Sequence, residues 1–413
     1  MNEKQFAAHI GLDWADEKHD YCLQDAASQK LEYGSFKHTP LLIDQWVSGL
    51  RKRFNHRPVA ICLELKSGPI VSCLSKYDFI TLFFVAPQAL ASYRKVFTQS
   101  GGKDDPTDAF LQFDYLTKHF SNLQEVTLDS QDSRMLDELT VHRKSFVDEK
   151  VKLTNKITAT LKAYYPLALD IFSDLDTLIF CDFVQRWPNL SKLKGARRET
   201  LEKFFKSHRC GRVDLINRRI ELISTAISLT DDDAIIKPYQ RRMLGLVSSL
   251  KPMLETIKAY DTEITTVFEQ HQDRDIFASF PGAGDILAPR LLAAFGSDRN
   301  AFSSADEVNR CVGIAPVVER SGKKTWIHWR FKCSRFLRQT FVEWANQTIK
   351  YSFWARAFYD EKRAQGKSHQ ATIRALAFKW IRIMFRCWKS HTPYDEAKYL
   401  FALKKAGNKI NAG

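Results

Sequence analysis

Four acidic residues in the first third of the chain have the types and positions from which a metal-dependent phosphoryl-transfer site can be built. Two of them lie in residues 103–109, KDDPTDA, which carry three carboxylates although the whole chain has a net charge of +14. Asp105 and Asp108 are three residues apart, so on a helix they share one face and repel unless a cation lies between them. A divalent metal with oxygen ligands would relieve that repulsion. An ordinary helix start explains the same residues, with Asp105 as the cap and Pro106 at the first helical position.

The other two acids each end a predicted strand. The apolar run FAAHIGLDW reaches Asp13, and PVAICLE ends at Glu64. HDYCLQD is the expected hairpin partner of the first strand, and ITLFFVAP is a third buried strand. Strands that alternate with helical segments such as PLLIDQWVSGLRKRF and GPIVSCLSKY predict an α/β domain, largely parallel with an antiparallel edge. Because active sites form at the ends of neighbouring strands, Asp13 and Glu64 with Asp105 and Asp108 predict a two-metal centre.

The rest of the chain predicts helices, and we expect domains at 1–125, 126–275 and 276–413. Met243, Leu250, Ile257 and Ile264 recur every seven residues, which is typical of an antiparallel coiled-coil arm and also of an ordinary helical bundle. Pro252 is expected to start or kink that helix. RWPNLSKLKGARRETLEKFFKSH indicates a small helix-turn-helix insert, and SFPGAGDILAPRLLAAFG resembles a helix-hairpin-helix segment.

A basic and aromatic stretch follows. Residues 320–338 contain seven Lys or Arg and no acid, interleaved with Trp326, Trp329 and Phe331. This composition favours a nucleic-acid surface over a merely solvated basic face beside core aromatics. The expected nucleic-acid-binding residues are Lys323, Lys324, Arg330, Lys332, Arg335 and Arg338.

Composition narrows the class of protein further. A chain with 62 basic against 48 acidic residues suggests a polyanionic partner, nucleic acid before membrane. We expect no membrane span, since no apolar run is long enough. The eight cysteines contain no Cys-x-x-Cys pair, which argues for reduced thiols in a cytoplasm and against a zinc site.

At this point the sequence resembles the DEDD-type transposases of insertion sequences, which are related to the Piv invertases and include bridge-RNA-guided recombinases. The resemblance is carried by HIGLDWADEKHDYCL, ICLE, KDDPTDA and the distant FPGAGDILAPRLLAAFG, VGIAPVVERSGKKTWIHWRFKCSRFLRQTF. It implies an N-terminal RuvC-like, ribonuclease-H-type domain and a C-terminal transposase domain that supplies a nucleophilic serine. It also implies Mg²⁺ as cofactor, DNA and a structured guide RNA as partners, and a homo-oligomer, dimer or tetramer, joined through the helical arm.

Carried over residue by residue, the family's acids fall on Asp13, Glu64, Asp105 and Asp108, and its serine falls on Ser321. Family members often have Ser-Ser-Gly or Ser-Gly-Gly at the serine loop, whereas this chain has Arg320-Ser321-Gly322-Lys323. A register that uses Asp104 in place of Asp105 also keeps one helix face.

Three functions remain open on the sequence. The first is a DNA transposase or site-specific recombinase that uses the four acids and Ser321. The second is a RuvC-like, metal-dependent nuclease that hydrolyses DNA with water and needs no serine. The third is a non-catalytic nucleic-acid-binding protein, in which the acids are caps and Ser321 is a turn serine before glycine.

Overall fold

The computed structural model describes residues 6–97, 105–322 and 324–405. The chain divides into two compact units, Met1–Leu128 and Asp129–Gly413. The predicted division into three domains at residues 125 and 275 remains a prediction.

The first unit is built on a mixed six-stranded sheet. Its elements are β1 (Ala8–Asp13), β2 (Lys18–Asp25), β3 (Leu31–Lys37), α1 (Pro40–Arg53), β4 (Val59–Leu63), α2 (Pro69–Leu74), β5 (Ile80–Phe84), α3 (Pro87–Phe97), α4 (Asp105–Lys118) and β6 (Gln124–Glu125). The strand order is β3-β2-β1-β4-β5-β6. Strands β1, β4 and β5 are parallel to one another, whereas β2, β3 and β6 are antiparallel to their neighbours. The predicted α/β class and the antiparallel hairpin of β1 and β2 are confirmed. The expectation of a largely parallel sheet is wrong, because three of the five strand pairings are antiparallel and both edges of the sheet are antiparallel.

The sheet is buried because its central strands are apolar on both faces. All five residues of β4 are inaccessible to solvent, which is typical of a parallel strand covered on both sides. One face of the sheet packs against α1 and α2, with Ile61 and Val71 in the same apolar cluster. The other face packs against α3 and α4, where Cys62 meets Leu111. The carboxyl ends of β1 and β4 therefore meet beside α4.

The second unit is mostly helical, as expected. Its elements are α5 (Gln131–Tyr164), α6 (Leu167–Ile171), α7 (Leu178–Arg186), α8 (Leu190–Lys194), α9 (Arg198–Ser207), α10 (Val213–Thr225), α11 (Asp233–Gln270), α12 (Arg274–Ala278), α13 (Gly284–Phe295), α14 (Ala305–Cys311), β7 (Val317–Ser321), β8 (Lys324–His328), α15 (Arg335–Tyr351), α16 (Phe353–Ala364), α17 (His369–Lys389) and α18 (Glu396–Lys405). Helices α8 and α9 lie within the predicted helix-turn-helix insert. Helices α12 and α13 flank the glycine turn, where Gly282 has a φ of +69°.

Helices α5 and α11 form a long antiparallel pair. Arg143 forms an ion pair with Asp261, and towards the other end Tyr164 stacks on Tyr239 with ring centroids 6.3 Å apart. The heptad positions of α11 predicted from the sequence are buried: Met243, Leu250, Ile257 and Ile264. A coiled-coil role in assembly remains a prediction.

Pro252 does not start the helix, because α11 begins at Asp233 and continues through both Pro238 and Pro252. The alternative expectation, a kink at Pro252, remains a prediction. A proline removes one backbone hydrogen bond, and the continuous apolar face packed on α5 outweighs that loss.

Three buried tryptophans fix the helices around the basic stretch. Each indole N–H has a partner: Trp344 donates to the Pro281 carbonyl at 3.1 Å, Trp380 to Thr348 Oγ1 at 2.9 Å and Trp388 to the Gly296 carbonyl at 2.8 Å. Satisfied indole donors let large aromatic surfaces be buried without a polar penalty. Helices α15 and α17 are thereby held to one another and to the ends of α13.

Candidate active site

Asp13 is the last residue of β1, and Glu64 immediately follows the last residue of the adjacent parallel strand β4. Gly11 of β1 is paired with Cys62 of β4, and each acid follows its paired residue by two positions. Side chains two residues apart on a strand point to the same face, and neighbouring strands lie about 4.8 Å apart. The Glu64 charge acts on Cys62, where burial first and this carboxylate second raise the pKa of the thiol. The predicted juxtaposition of the two strand ends is therefore present.

Helix α4 crosses this face in direct contact with β1, and Gly11 makes the contact possible. A Cβ atom at Gly11 would lie 2.0 Å from the Ala109 carbonyl oxygen and 2.3 Å from the Phe113 nitrogen. Gln112, which is buried, seals the crossing. In the amide orientation that satisfies both of its ends, its nitrogen donates to the carbonyls of Leu12 at 2.6 Å and Cys62 at 3.0 Å. One side chain thus ties α4 to both acid-bearing strands.

This crossing sets the position of Asp108, one helical turn before Gln112. Asp108 is only 3% exposed, and its carboxylate accepts a hydrogen bond from Arg94 of α3 in an ion pair. A buried carboxylate needs such a partner. The pair fixes the Asp108 side chain on α4.

The donor chemistry fits a hard divalent cation. Asp13, Glu64 and Asp108 come from three separate elements and offer carboxylate oxygens, which Mg²⁺ prefers. Across residues 6–97, 105–322 and 324–405, no group of three or more His, Cys, Asp or Glu side chains is already gathered as a metal site. Asp105 is the first residue of α4, but its side chain, like all of Asp104, lies outside the described part of the chain.

Ser321 lies at the tip of a β-hairpin that the sequence did not predict. Strands β7 and β8 pair Ser321 with Lys324, so two residues connect them. Gly322 has a φ of +58°, a left-handed conformation that such two-residue turns require and that glycine adopts at little cost. Ser321 is exposed, as is every residue of β8. The hydroxyl is therefore accessible to a large substrate.

Ser334, the other serine of the basic stretch, has a different environment. Its hydroxyl caps α15 by accepting a hydrogen bond from the Leu337 N–H at 3.3 Å. A capping serine stabilises its helix by about 1 kcal/mol. Ser334 therefore has a structural role as a helix cap. Ser321, at the end of β7, caps no helix.

The expected nucleic-acid-binding residues divide into two groups. Lys324, Lys332 and Arg335 are exposed. Arg330 and Arg338 are partly buried and also make internal hydrogen bonds: Arg330 Nε donates to the Ala315 carbonyl at 3.1 Å, and Arg338 donates to the Arg330 carbonyl at 2.9 Å. Lys323 lies outside the described residues.

Two segments of the chain match models of known protein families. Residues 10–166 match a transposase family model named for DEDD transposases of the IS110 type, and residues 274–360 match the model for the transposase IS116/IS110/IS902 family. The chain belongs to the IS110 family of transposases. The first match covers all four candidate acids, and the second covers Ser321 and the basic stretch.

One curated relative extends over nearly the whole chain, and two others cover less of it. The mini-circle putative transposase for IS117 from Streptomyces coelicolor is 25% identical over 98% of this chain and 100% of its own length. The IS900 uncharacterized 42 kDa protein from Mycobacterium paratuberculosis is 27% identical, covering 75% of this chain and 76% of its own. The IS110 uncharacterized 43.6 kDa protein from Streptomyces coelicolor is 24% identical over 71% and 72%. This IS110-family transposase is therefore a DNA-processing enzyme.

Three residues around the site were not predicted from the sequence. Arg94 pairs with Asp108, and Gln112 donates to the strand carbonyls. Asp20 lies directly opposite Asp13 on β2 and is nearly buried, with Lys18 as its salt-bridge partner at 3.0 Å. Only Gln112 carried a signal, since it follows Asp108 by four residues and so shares its helix face.

One further property of this IS110-family transposase concerns membranes. Within the described residues, every helix is too short or too polar to cross a bilayer.

Proposed function

We propose that this transposase cleaves and rejoins DNA through a covalent serine intermediate, with Asp13, Glu64, Asp105 and Asp108 as ligands of Mg²⁺ and Ser321 as the nucleophile. The observation that supports the proposal is the arrangement of the elements that carry the acids: Asp13 ends β1, Glu64 follows the neighbouring strand β4, and α4, which carries Asp108, crosses β1 in close contact at Gly11. Helix capping alone does not account for this close crossing.

We infer further that the first unit has the ribonuclease-H-type fold of RuvC-like domains. Support comes from the connectivity: β1, β2 and β3 form an antiparallel meander, and β4 and β5 then add in parallel to β1. In such a sheet the acids at the ends of β1 and β4 occupy the position where ligands bind in open α/β sheets.

The chemical roles follow from the residue types. Bound Mg²⁺ supplies charge stabilisation to the transferring phosphoryl group and to the leaving oxygen. Ser321 Oγ loses its proton and forms a bond to phosphorus, while the bond from phosphorus to the strand oxygen breaks and that oxygen leaves as a hydroxyl. The phosphoserine link retains the energy of the phosphodiester bond. Attack by a DNA hydroxyl on this link then rejoins the strand and releases Ser321.

The partners in the proposal are DNA and a structured guide RNA, held by the basic surface of residues 320–338. The chain acts as a homo-oligomer, in which the α5–α11 arm joins protomers and Ser321 of one protomer acts with the acids of another. The arm offers a long antiparallel pair of helices, and the net charge of +14 favours polyanions.

The test is a cleavage reaction in Mg²⁺ with end-labelled DNA, analysed on denaturing protein gels. The unmodified protein should carry label, because the DNA end is covalently attached. Ser321→Ala should abolish the labelled protein band and recombination while leaving DNA binding unchanged. Ser334→Ala is the matched control, since it removes the same atom from the same stretch.

Glu64→Gln tests the acids in the same assay. It should abolish strand cleavage without weakening DNA binding, because it removes a ligand charge and no basic contact. Recombination by Ser321→Ala would refute the serine assignment, and full cleavage by Glu64→Gln would refute the four-acid site. Cleavage without any adduct would instead indicate a nuclease that uses water.

A further inference from the structure

Trp329 carries two arginines on its ring, and they come from two different helices. The Arg338 guanidinium carbon, from α15, lies 4.8 Å from the ring centroid, and that of Arg374, from α17, lies 4.2 Å from it. Each distance is within the range of a cation–π contact. The aromatic ring thus gathers two like charges that would otherwise separate.

The positive charges of Arg338 and Arg374 are not neutralised by salt bridges with carboxylates of the described residues. Burial and the neighbouring Arg338 charge both lower the pKa of Arg374. Where the structure describes the chain, no carboxylate forms a salt bridge with Arg330, Arg338 or Arg374. Proteins normally pair charges that they partly bury, so a cluster of guanidinium groups held together without an acid indicates an external anion.

The cluster opens into a groove of about 550 Å³. Its lining consists of the turn 313–316, the stretch 327–330 and the α17 residues Ala371, Arg374, Ala375 and Phe378. None of these lining residues is acidic. The groove therefore combines guanidinium groups with apolar walls, which suits a phosphate together with the sugar or base attached to it.

The arginines are held in place before any ligand binds. Arg330 is fixed by the Ala315 carbonyl, and Arg338 is fixed by the Arg330 carbonyl. Gly313, with a φ of +74°, lets the chain at Cys333 pack directly on this turn, because a Cβ there would lie 2.2 Å from the Cys333 sulfur. Preorganised donors lose little side-chain entropy on binding.

We propose that Arg374 and Arg330, which line the groove, together with Arg338, which shares the Trp329 ring with Arg374, form a phosphodiester-binding site for the backbone of a nucleic acid. Arg374 extends the expected basic surface beyond residues 320–338, and it lies outside the segment 274–360 that matched the family. The proposal rests on the proposed function only for the kind of anion, since the charge and the geometry stand independently of any cleavage chemistry.

The experiment measures binding of the full chain to fluorescein-labelled 20-mers, one duplex DNA and one single-stranded RNA, by anisotropy between 50 and 300 mM NaCl. Arg374→Ala should bind more weakly and reduce the slope of log K against log salt by about 0.9 on the duplex or about 0.7 on the single strand. Arg374→Gln, which keeps a planar polar group but removes the charge, should do the same. Arg374→Lys should keep the slope.

The matched control is Arg242→Ala, which removes the same charge from an exposed position on α11. It should leave the slope unchanged. A reduced slope for Arg374→Gln on either probe supports the site, and the probe affected identifies which nucleic acid occupies it. An unchanged slope on both probes in a folded Arg374→Gln variant, or an equal effect of Arg242→Ala, overturns it.

This result is separable from the proposed function. The binding measurement needs no cleavage and no Ser321. If the adduct depends on Ser321 but nucleic-acid binding does not depend on Arg374, only the arginine site is refuted. Binding that depends on Arg374, with an adduct that does not depend on Ser321, would refute only the serine chemistry.

Discussion

Gly11→Ala should inactivate the transposase although glycine and alanine differ by one methyl group. The new Cβ would lie 2.0 Å from the Ala109 carbonyl oxygen, whereas ordinary contact begins at 3.4 Å, so α4 must move by about 1.4 Å. The three atoms nearest the new Cβ, in Ala109, Phe113 and Gln112, all belong to the helix backbone, so no side chain can rotate away. The helix carries Asp108 and Gln112, and both would be displaced from the strand ends.

The expected cost has two parts. Overpacking a buried contact destabilises by about 1 to 3 kcal/mol, and a misplacement of about 1 Å at a phosphoryl-transfer site lowers the rate on the order of 100-fold. Cleavage of labelled DNA and thermal unfolding should therefore both change, while DNA affinity at the basic stretch stays the same.

Gly49→Ala is the matched control for this substitution. Gly49 lies in α1, and a Cβ there meets no atom within 4 Å. Alanine should stabilise that helix by roughly 0.5 to 1 kcal/mol and leave cleavage intact. If Gly11→Ala cleaves DNA at the normal rate and unfolds at the normal temperature, the close crossing of α4 does not position the acids.

Two further predictions concern assembly and pH. Mixing Asp13→Asn with Ser321→Ala protein should restore adduct formation, because each variant supplies the centre that the other lacks; a mixed oligomer without any adduct would refute action between protomers. His19 is fully buried and contacts His38 at 2.8 Å, and burial first and His38 second lower the pKa of His19 to about 4. Between about pH 6.5 and pH 4, His19 binds a proton in the unfolded chain but not in the folded chain. The folded state is therefore fully stable above pH 6.5 with respect to this group, and its free energy of unfolding falls on acidification. Urea unfolding should show a loss of about 1 kcal/mol from pH 7.5 to 5.5 that His19→Gln lacks, and equal pH dependence in both proteins would contradict it.

The strand-end acids were predictable because their signals are local. An apolar run of strand length that ends in an acid is visible in the residues around Asp13 and Glu64, and the sheet confirms both strands. The position of Asp108 near the start of a helix was predictable from its spacing to Asp105 and Pro106. The crossing of α4 over β1 could not be predicted, because nothing in the sequence around Gly11 shows that a helix packs against it.

The rest depended on tertiary contacts between distant residues. Strand β3 alternates exposed and partly buried positions at the sheet edge and has a glycine in its centre, so it lacks the apolar run that marks a strand. The β7–β8 hairpin is almost wholly exposed, and its pattern is equally that of a basic loop. Arg374 lies in a helix distant in sequence from Trp329, and no spacing rule links them.

The most direct test of the central claim is to identify by mass spectrometry the residue that carries DNA after cleavage. The adduct is trapped by denaturation, the DNA is trimmed with nuclease, and the protein is cut after glutamate, which releases residues 320–343 as one peptide. Fragmentation then distinguishes Ser321 from Ser334 within that peptide. A nucleotide phosphate on Ser321 is the predicted result. Modification of another residue, or cleaved DNA with no modified peptide, would contradict the proposed serine mechanism.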